Sequence, residues 1–200
     1  VTSFFREHRH FDYLEREFYT PLARGTITLP GKKIRLWSAG CSAGQEPYSM
    51  AIQAIELLPN IGQWNFKILA TDLSNSALDE ARTAIYMLSQ SKQLSSQMLQ
   101  KYALRGTGAN SDSLKIAPQV TSMVTIRQLN LMDPWQMKGQ FNIIFCCNVM
   151  IYFDKATREQ LVRRFYNQLM PGGIFGIGSA ETLSGLDTQF TPLQPSLYVK

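Results

Sequence analysis

Apolar residues at Phe4, Phe5, Phe11, Leu14 and Phe18 recur at helical spacing, so Ser3–Tyr19 is predicted as an amphipathic helix closed by Pro21 and Gly25. Beyond Gly31 the period changes. Ile34–Ser38 is a short apolar run, the mark of a buried strand, and Ala39–Gly44 is a turn of small residues. A helix follows from Glu46 to Leu58, ended by Pro59 and Asn60. Phe66–Ala70 is a second apolar run ending at Thr71–Asp72, and Ser74 or Ser76 can cap a further helix reaching Tyr86. Strand, loop, helix, strand, helix is the order of a parallel sheet with right-handed crossovers.

The middle third departs from that rhythm. Ser95 opens a short helix to Tyr102, after which Tyr102–Arg105 and Leu114–Ala117 flank the Gly/Ser/Asn-rich turn Gly106–Ser113, predicting an inserted β-hairpin. Met123–Gln128 returns to a strand, and Phe141–Cys147 is the most apolar strand and therefore central. Thr157–Leu169 is an amphipathic helix stopped by Pro171–Gly173, followed by a buried strand at Ile174–Gly178. Gln189–Thr191 and Ser196–Val199 read as a closing antiparallel pair. The predicted fold is α/β: a doubly wound, mostly parallel, Rossmann-like sheet with an antiparallel edge and a small inserted β-hairpin subdomain. Its parts are an N-terminal helix and linker at 1–30, the α/β domain at 31–200, and the β insertion at about 102–122.

Composition narrows the classes. At 200 residues, 44% hydrophobic and 18% charged, the chain is an ordinary globular domain with a sizeable core. No apolar stretch reaches the ~18 residues of a membrane helix, and no signal peptide is visible, so a cytoplasmic location is expected. Because the sequence opens with Val1 rather than Met, a fragment is expected. Three cysteines, two of them adjacent (Cys146, Cys147), make no disulfide framework, and no CxxC or His pair has zinc spacing, so no metal is expected. The net charge of +5 favours an acidic partner. Because the basic residues are scattered, that partner is expected to be an acidic protein surface rather than nucleic acid.

In a doubly wound sheet, ligands sit beyond the carboxyl ends of the strands, near the reversal of strand order. After the first strand come Gly40 and its small neighbours up to Gly44, which let the backbone pass close to a bound group. This is neither GxGxxG nor a Walker loop. Glu46, at the start of the next helix, either attracts a cation or is simply an acid favoured by the helix dipole. Asp72, at the end of the second strand, either accepts hydrogen bonds from two ribose hydroxyls or belongs to the start of the following helix. Asn130–Leu131 and Asn148–Val149 follow later strands; the asparagines can read a base edge or an α-amino acid, or cap their loops. Together, a glycine turn, two carboxylates and no phosphate clamp suit a nucleoside with a cationic amino-acid tail. S-adenosylmethionine is such a ligand, with S-adenosylhomocysteine as its product.

Three stretches, Thr2–Glu7 (TSFFRE), Arg35–Ser49 (RLWSAGCSAGQEPYS) and Asn148–Phe153 (NVMIYF), resemble the chemotaxis receptor methyltransferases of the CheR type. The likeness extends over essentially the whole chain and includes Arg105-Gly106-Thr107-Gly108. It implies S-adenosylmethionine-dependent methyl esterification of glutamates on the cytoplasmic helices of chemoreceptors, by a monomer acting through in-line displacement. It also implies cofactor contacts at Thr2, Arg6, Glu46, Asp72, Asn130, Leu131, Asn148 and Val149. Thr2 and Arg6 rest on the resemblance alone. No catalytic residue is assigned; Arg6 and Tyr152 are candidates for orienting the substrate or lining a transfer channel, although an aromatic after an apolar strand is commonly core. In some members the small β subdomain receives the receptor's C-terminal peptide by strand addition, and the hairpin here is compatible with that or with a plain structural role.

Two departures stand out. The family usually carries Arg before Asn-Val-Met-Ile-Tyr, where this chain has Cys147, and the N-terminal helical domain that the family has ahead of its Phe-Phe-Arg motif is not among these 200 residues. A glutamate nucleophile with a pKa near 4.3 is ionised at neutral pH and needs no general base. His8 and His10 are therefore expected at the surface, and Cys41 and Cys147 as small fillers. The alternatives are a methyltransferase of the same fold with another substrate, or a cofactor-binding regulatory or docking module without turnover.

Overall fold

The N-terminal part of the computed structural model, which describes residues 2–200, folds as α1 (His8–Leu14), a π-helical turn at Glu15–Tyr19 and α2 (Thr20–Ala23). The helix starts later than Ser3 because Phe5 takes a left-handed conformation, φ +49°. Its N–H donates to Ser49 Oγ at 2.9 Å, and Phe4 is fully buried edge-on to Tyr86. Thr2–Glu7 is thus pinned as a turn. At the other end the helix runs past Pro21, the wider π turn ahead of it absorbing a residue that can neither donate nor tolerate the i−4 carbonyl.

The α/β part proceeds through β1 (Lys33–Ala39), α3 (Gln45–Leu57), β2 (Asn65–Asp72) and α4 (Asn75–Thr83). Then come β3 (Ile85–Met87), α5 (Ser96–Tyr102), β4 (Ala103–Arg105), β5 (Ser113–Ile116), α6 (Pro118–Thr121) and β6 (Val124–Gln128). The chain closes with β7 (Phe141–Cys146), α7 (Lys155–Gln168), β8 (Leu169–Ile177), β9 (Thr191–Gln194) and β10 (Leu197–Val199). Ser74, Ser95 and Asp154 each cap a helix by accepting from the backbone N–H three residues on, worth about 1 kcal/mol apiece.

The seven-stranded sheet has the order β6-β2-β1-β7-β8-β10-β9, parallel from β6 to β8 and antiparallel at β10 and β9. Every residue of β7 is buried, as its run of apolar side chains predicts. One face packs Leu36, Ile143 and Phe145 against α1 and α3; the other packs Trp37, Ile144 and Phe175 against Leu161, Val162 and Phe165 of α7. Trp37 is fully buried and spends its indole N–H on Thr71 Oγ1 at 2.9 Å.

Three expectations are corrected. The predicted hairpin is present as the antiparallel pair β4–β5, but β3 joins it on the other edge of β5, so the inserted sheet has three strands, β3-β5-β4, and begins at Ile85 rather than near 102. Ala84, left-handed at φ +53°, ends α4 before Ile85–Met87, which pairs with β5 instead of extending the helix to Tyr86. His10 is not a surface residue: it is buried beside Phe145, ring centroids 5.2 Å apart, and burial lowers its pKa to about 4. It is therefore neutral; His8 is exposed. Among the described residues no helix is long and apolar enough to cross a membrane.

Candidate functional site

From β1 the chain moves outward to β2 and β6, then returns to the other side of β1 at β7. Strand order reverses there, and a crevice opens beyond the carboxyl ends. It holds a cavity of about 630 Å³, the size of a small-molecule site. Gly40 and Glu46 line it from beyond β1, Asp72 from the end of β2, and Asn130 and Leu131 from beyond β6. Asn148 and Val149 line it from beyond β7, and Thr2 and Arg6 reach it from the N-terminal turn. Tyr152 stands at the rim, 80% exposed, so it is not a core aromatic. All the residues singled out in the sequence therefore meet at one cavity.

The first three amides of the turn after β1 are not offered to a ligand. The N–H groups of Gly40 and Cys41 both donate to the Thr71 carbonyl, at 2.8 and 2.9 Å. That of Ser42 donates to Asp72 Oδ2 at 2.8 Å. Three successive amides are spent inside the protein, whereas a phosphate loop presents such groups to its ligand. Only glycine fits at position 40: φ is +80°, and a Cβ would lie 2.3 Å from Val149 Cγ2.

The two carboxylates differ. Asp72 accepts from Ser42 N–H and, through Oδ1, from Ser74 N–H at 2.9 Å. Roughly half of a carboxylate's ~four acceptor sites remain for a ligand. Glu46 accepts from the Ser38 hydroxyl at 2.7 Å and opens only to the cavity. Burial raises its pKa to about 7, opposed by the Ser38 hydroxyl and the Cys147 thiol beside it; Glu7 raises it further and Arg6 lowers it. The Cys41 and Cys147 thiols are pushed well up, chiefly by burial, so both are neutral fillers rather than nucleophiles.

A family model described as "CheR methyltransferase, SAM binding domain" matches residues 1–199. The chain belongs to the CheR methyltransferase family. The chemotaxis protein methyltransferase of Salmonella typhimurium is 38% identical over 99% of this chain and 66% of its own length. A probable chemotaxis protein methyltransferase of Rhizobium etli is 38% identical over 92% of this chain and 68% of its own. The chain thus spans about two thirds of these relatives. Among solved structures, PKMT2 from Rickettsia typhi in complex with AdoHcy is similar over 82% of this chain and 24% of its own, at 13% identity and a TM-score of 0.48.

In this CheR domain the asparagine side chains serve their loops. Asn130 Oδ1 accepts from Met132 N–H at 3.0 Å. Asn148 is left-handed at φ +61° and donates through Nδ2 to Glu7 Oε1 at 3.4 Å. Two acids escaped the sequence reading. Glu7 is buried at the cavity and also accepts from Ser179 N–H at 3.4 Å. Glu181 Oε2 accepts from the N–H groups of Asn148 and Gly178 at 2.8 and 2.7 Å, and Oε1 from that of Ile151 at 3.1 Å. Glu7 lay within the quoted TSFFRE stretch, which was a signal; Glu181 is a lone acid in a loop and had none.

Proposed function

We propose that this chain is the cofactor-binding part of a protein-glutamate O-methyltransferase acting on the cytoplasmic helices of chemotaxis receptors. The observation that carries this reading is the pairing of two cavity carboxylates with a glycine turn whose amides are already spent. Such a site suits a nucleoside with a cationic tail and opposes a pyrophosphate. Asp72 would hold the ribose, Glu46 the positively charged methionine end, and Leu131 and Val149 the apolar faces of the base. Thr2 and Arg6, fixed by the buried Phe4, would close the site from above. When bound, S-adenosylmethionine supplies a methyl group that passes from its sulfonium sulfur to a substrate carboxylate oxygen, releasing S-adenosylhomocysteine.

The protein's share is positioning and exclusion of water, which together supply several kcal/mol, up to about 7–11, without a general base. Arg6, which lines the cavity, would orient an incoming carboxylate, and the exposed Tyr152 would flank its path. In the small sheet, β3 and β4 are edge strands, and Ile85, Met87 and Leu104 are half-exposed on it. Their open backbone groups suit addition of a receptor's C-terminal peptide as a further strand. A cytoplasmic location belongs to the same reading.

The test uses tritiated S-adenosylmethionine and a receptor cytoplasmic fragment. Label released as methanol by mild alkali is the expected result. Alkali-stable label would point to another methyl acceptor, and tight S-adenosylhomocysteine binding without transfer to a regulatory module.

Glu46 makes cofactor affinity depend on pH. With a pKa near 7 it is half protonated in the free protein at neutrality, and a bound cation favours its charged form. Affinity for S-adenosylhomocysteine is expected to rise about tenfold between pH 6 and pH 8 and then level off. In Glu46→Gln that slope disappears. The linked stability has the opposite sign: the pKa is raised from 4.5, so the unliganded fold loses this stabilisation as pH climbs from 4.5 to about 7. Calorimetric titrations and thermal melts across that range measure both.

A further inference from the structure

We infer that Arg164, which lies on α7 outside the cavity, is a positioning residue that sets base recognition in the cofactor site. The inference rests on the cofactor reading above.

The loop after β6 brings Leu129, Asn130 and Leu131 to the cavity wall. That loop hangs on one guanidinium. Arg164 Nη1 donates to the Leu131 carbonyl at 2.6 Å, Nη2 donates to the Asp133 carbonyl, and Cζ lies 4.0 Å from the centroid of the Trp135 ring. Trp135 adds its own indole N–H to the Leu131 carbonyl at 3.1 Å and stands edge-on to the buried Trp37, centroids 4.8 Å apart. The Leu131 carbonyl is therefore held from the protein side by two donors.

The amides of the turn follow. Met132 N–H is spent on Asn130 Oδ1 at 3.0 Å, and Asp133 N–H on the Asn130 carbonyl at 3.0 Å. The N–H groups of Asn130 and Leu131, both cavity residues, find no acceptor among the described residues. By fixing the adjoining peptide through the Leu131 carbonyl, Arg164 fixes the direction of the Leu131 donor. A base with an acceptor on its edge can use it. β6 lies two strands out from β1, on the side of Asp72 away from Glu46, so the base rather than the amino-acid tail falls to this wall.

Arginine is required for this geometry. A planar guanidinium can make two divergent hydrogen bonds while stacking on an indole; a lysine ammonium keeps the charge but not the fork or the stack. The role therefore predicts lost discrimination between bases, which a general loss of rigidity would not produce.

The experiment titrates S-adenosylhomocysteine and S-inosylhomocysteine, whose base carries an N1–H donor in place of adenine's N1 acceptor and a carbonyl in place of its amine, into wild type, Arg164→Lys and Trp135→Phe, with thermal melts alongside. Wild type is expected to prefer the adenine ligand at least about tenfold. In Arg164→Lys the adenine ligand should weaken about tenfold while the inosine ligand barely changes, so the preference collapses towards one. Trp135→Phe keeps an aromatic ring beneath Arg164 and loses one donor to Leu131; it should lose about threefold of the preference, with a melting temperature lower by about 2–4 °C for the lost hydrogen bond and ring volume. If Arg164→Lys does not fold, Trp135→Phe decides the question. Equal weakening of both ligands, or an unchanged preference in the folded variants, overturns the role of Arg164 alone. Failure of wild type to bind S-adenosylhomocysteine overturns the cofactor reading and this inference with it.

Discussion

Glu181→Ala is expected to destabilise the fold by about 3–5 kcal/mol, the scale of three backbone donors losing their shared acceptor. One carboxylate accepts from the backbone N–H groups of Asn148, Ile151 and Gly178, and none of these has a replacement acceptor once it is gone. Hydrogen bonds to a charged group are worth about 1.5–3 kcal/mol each, and a buried donor left unpaired costs its full desolvation. In a chain of this length each kcal/mol moves the melting temperature by about 2–4 °C, so a fall of about 10 °C is expected. Glu181→Gln should be intermediate, because its amide presents one acceptor and turns N–H groups towards another donor. A melting temperature within about 2 °C of wild type for Glu181→Ala would mean that water or the backbone satisfies these groups without the acid.

Asp72→Ala is expected to weaken S-adenosylhomocysteine binding by about 1.5–3 kcal/mol, from ten- to more than a hundredfold. Two contributions are mixed in that figure. The carboxylate would accept from the ribose hydroxyls, and it also ties Ser42 and Ser74 together across the loops beyond β1 and β2. A 2′-deoxy form of the ligand separates them. If the ribose contact dominates, removing the hydroxyl costs wild type heavily and the variant almost nothing, giving a coupling energy of about 1–2 kcal/mol in a double-mutant cycle. Equal loss in both proteins would assign Asp72 to loop support.

The sheet was legible because its strands are apolar runs bounded by small and polar residues, and Phe141–Cys146 is apolar at every position but Asn142, so that its central place followed directly. The positions beyond the strand ends followed from topology, which is why Gly40, Asp72, Asn130 and Asn148 were found without any motif. Ile85–Met87 was not legible. Its backbone partner in β5 is about thirty residues away, and an amphipathic helix ahead of it hides the left-handed break at Ala84. The N-terminal turn failed for a related reason: the helical spacing of Phe4, Phe5 and Phe11 is real, but two of these rings are used for tertiary anchoring rather than for a helix face. His10 is an ionisable group kept neutral by burial, and local sequence carries no sign of that environment.

The saturated amides after β1 have a consequence in a cell crowded with nucleotides. A protein built on this sheet inherits a place where the phosphates of ATP or NAD would otherwise settle. Here the Thr71 carbonyl and the Asp72 carboxylate already take the Gly40, Cys41 and Ser42 amides, so the phosphates of such metabolites find those three donors spent. Competition from them is refused by the backbone itself, before any side chain takes part.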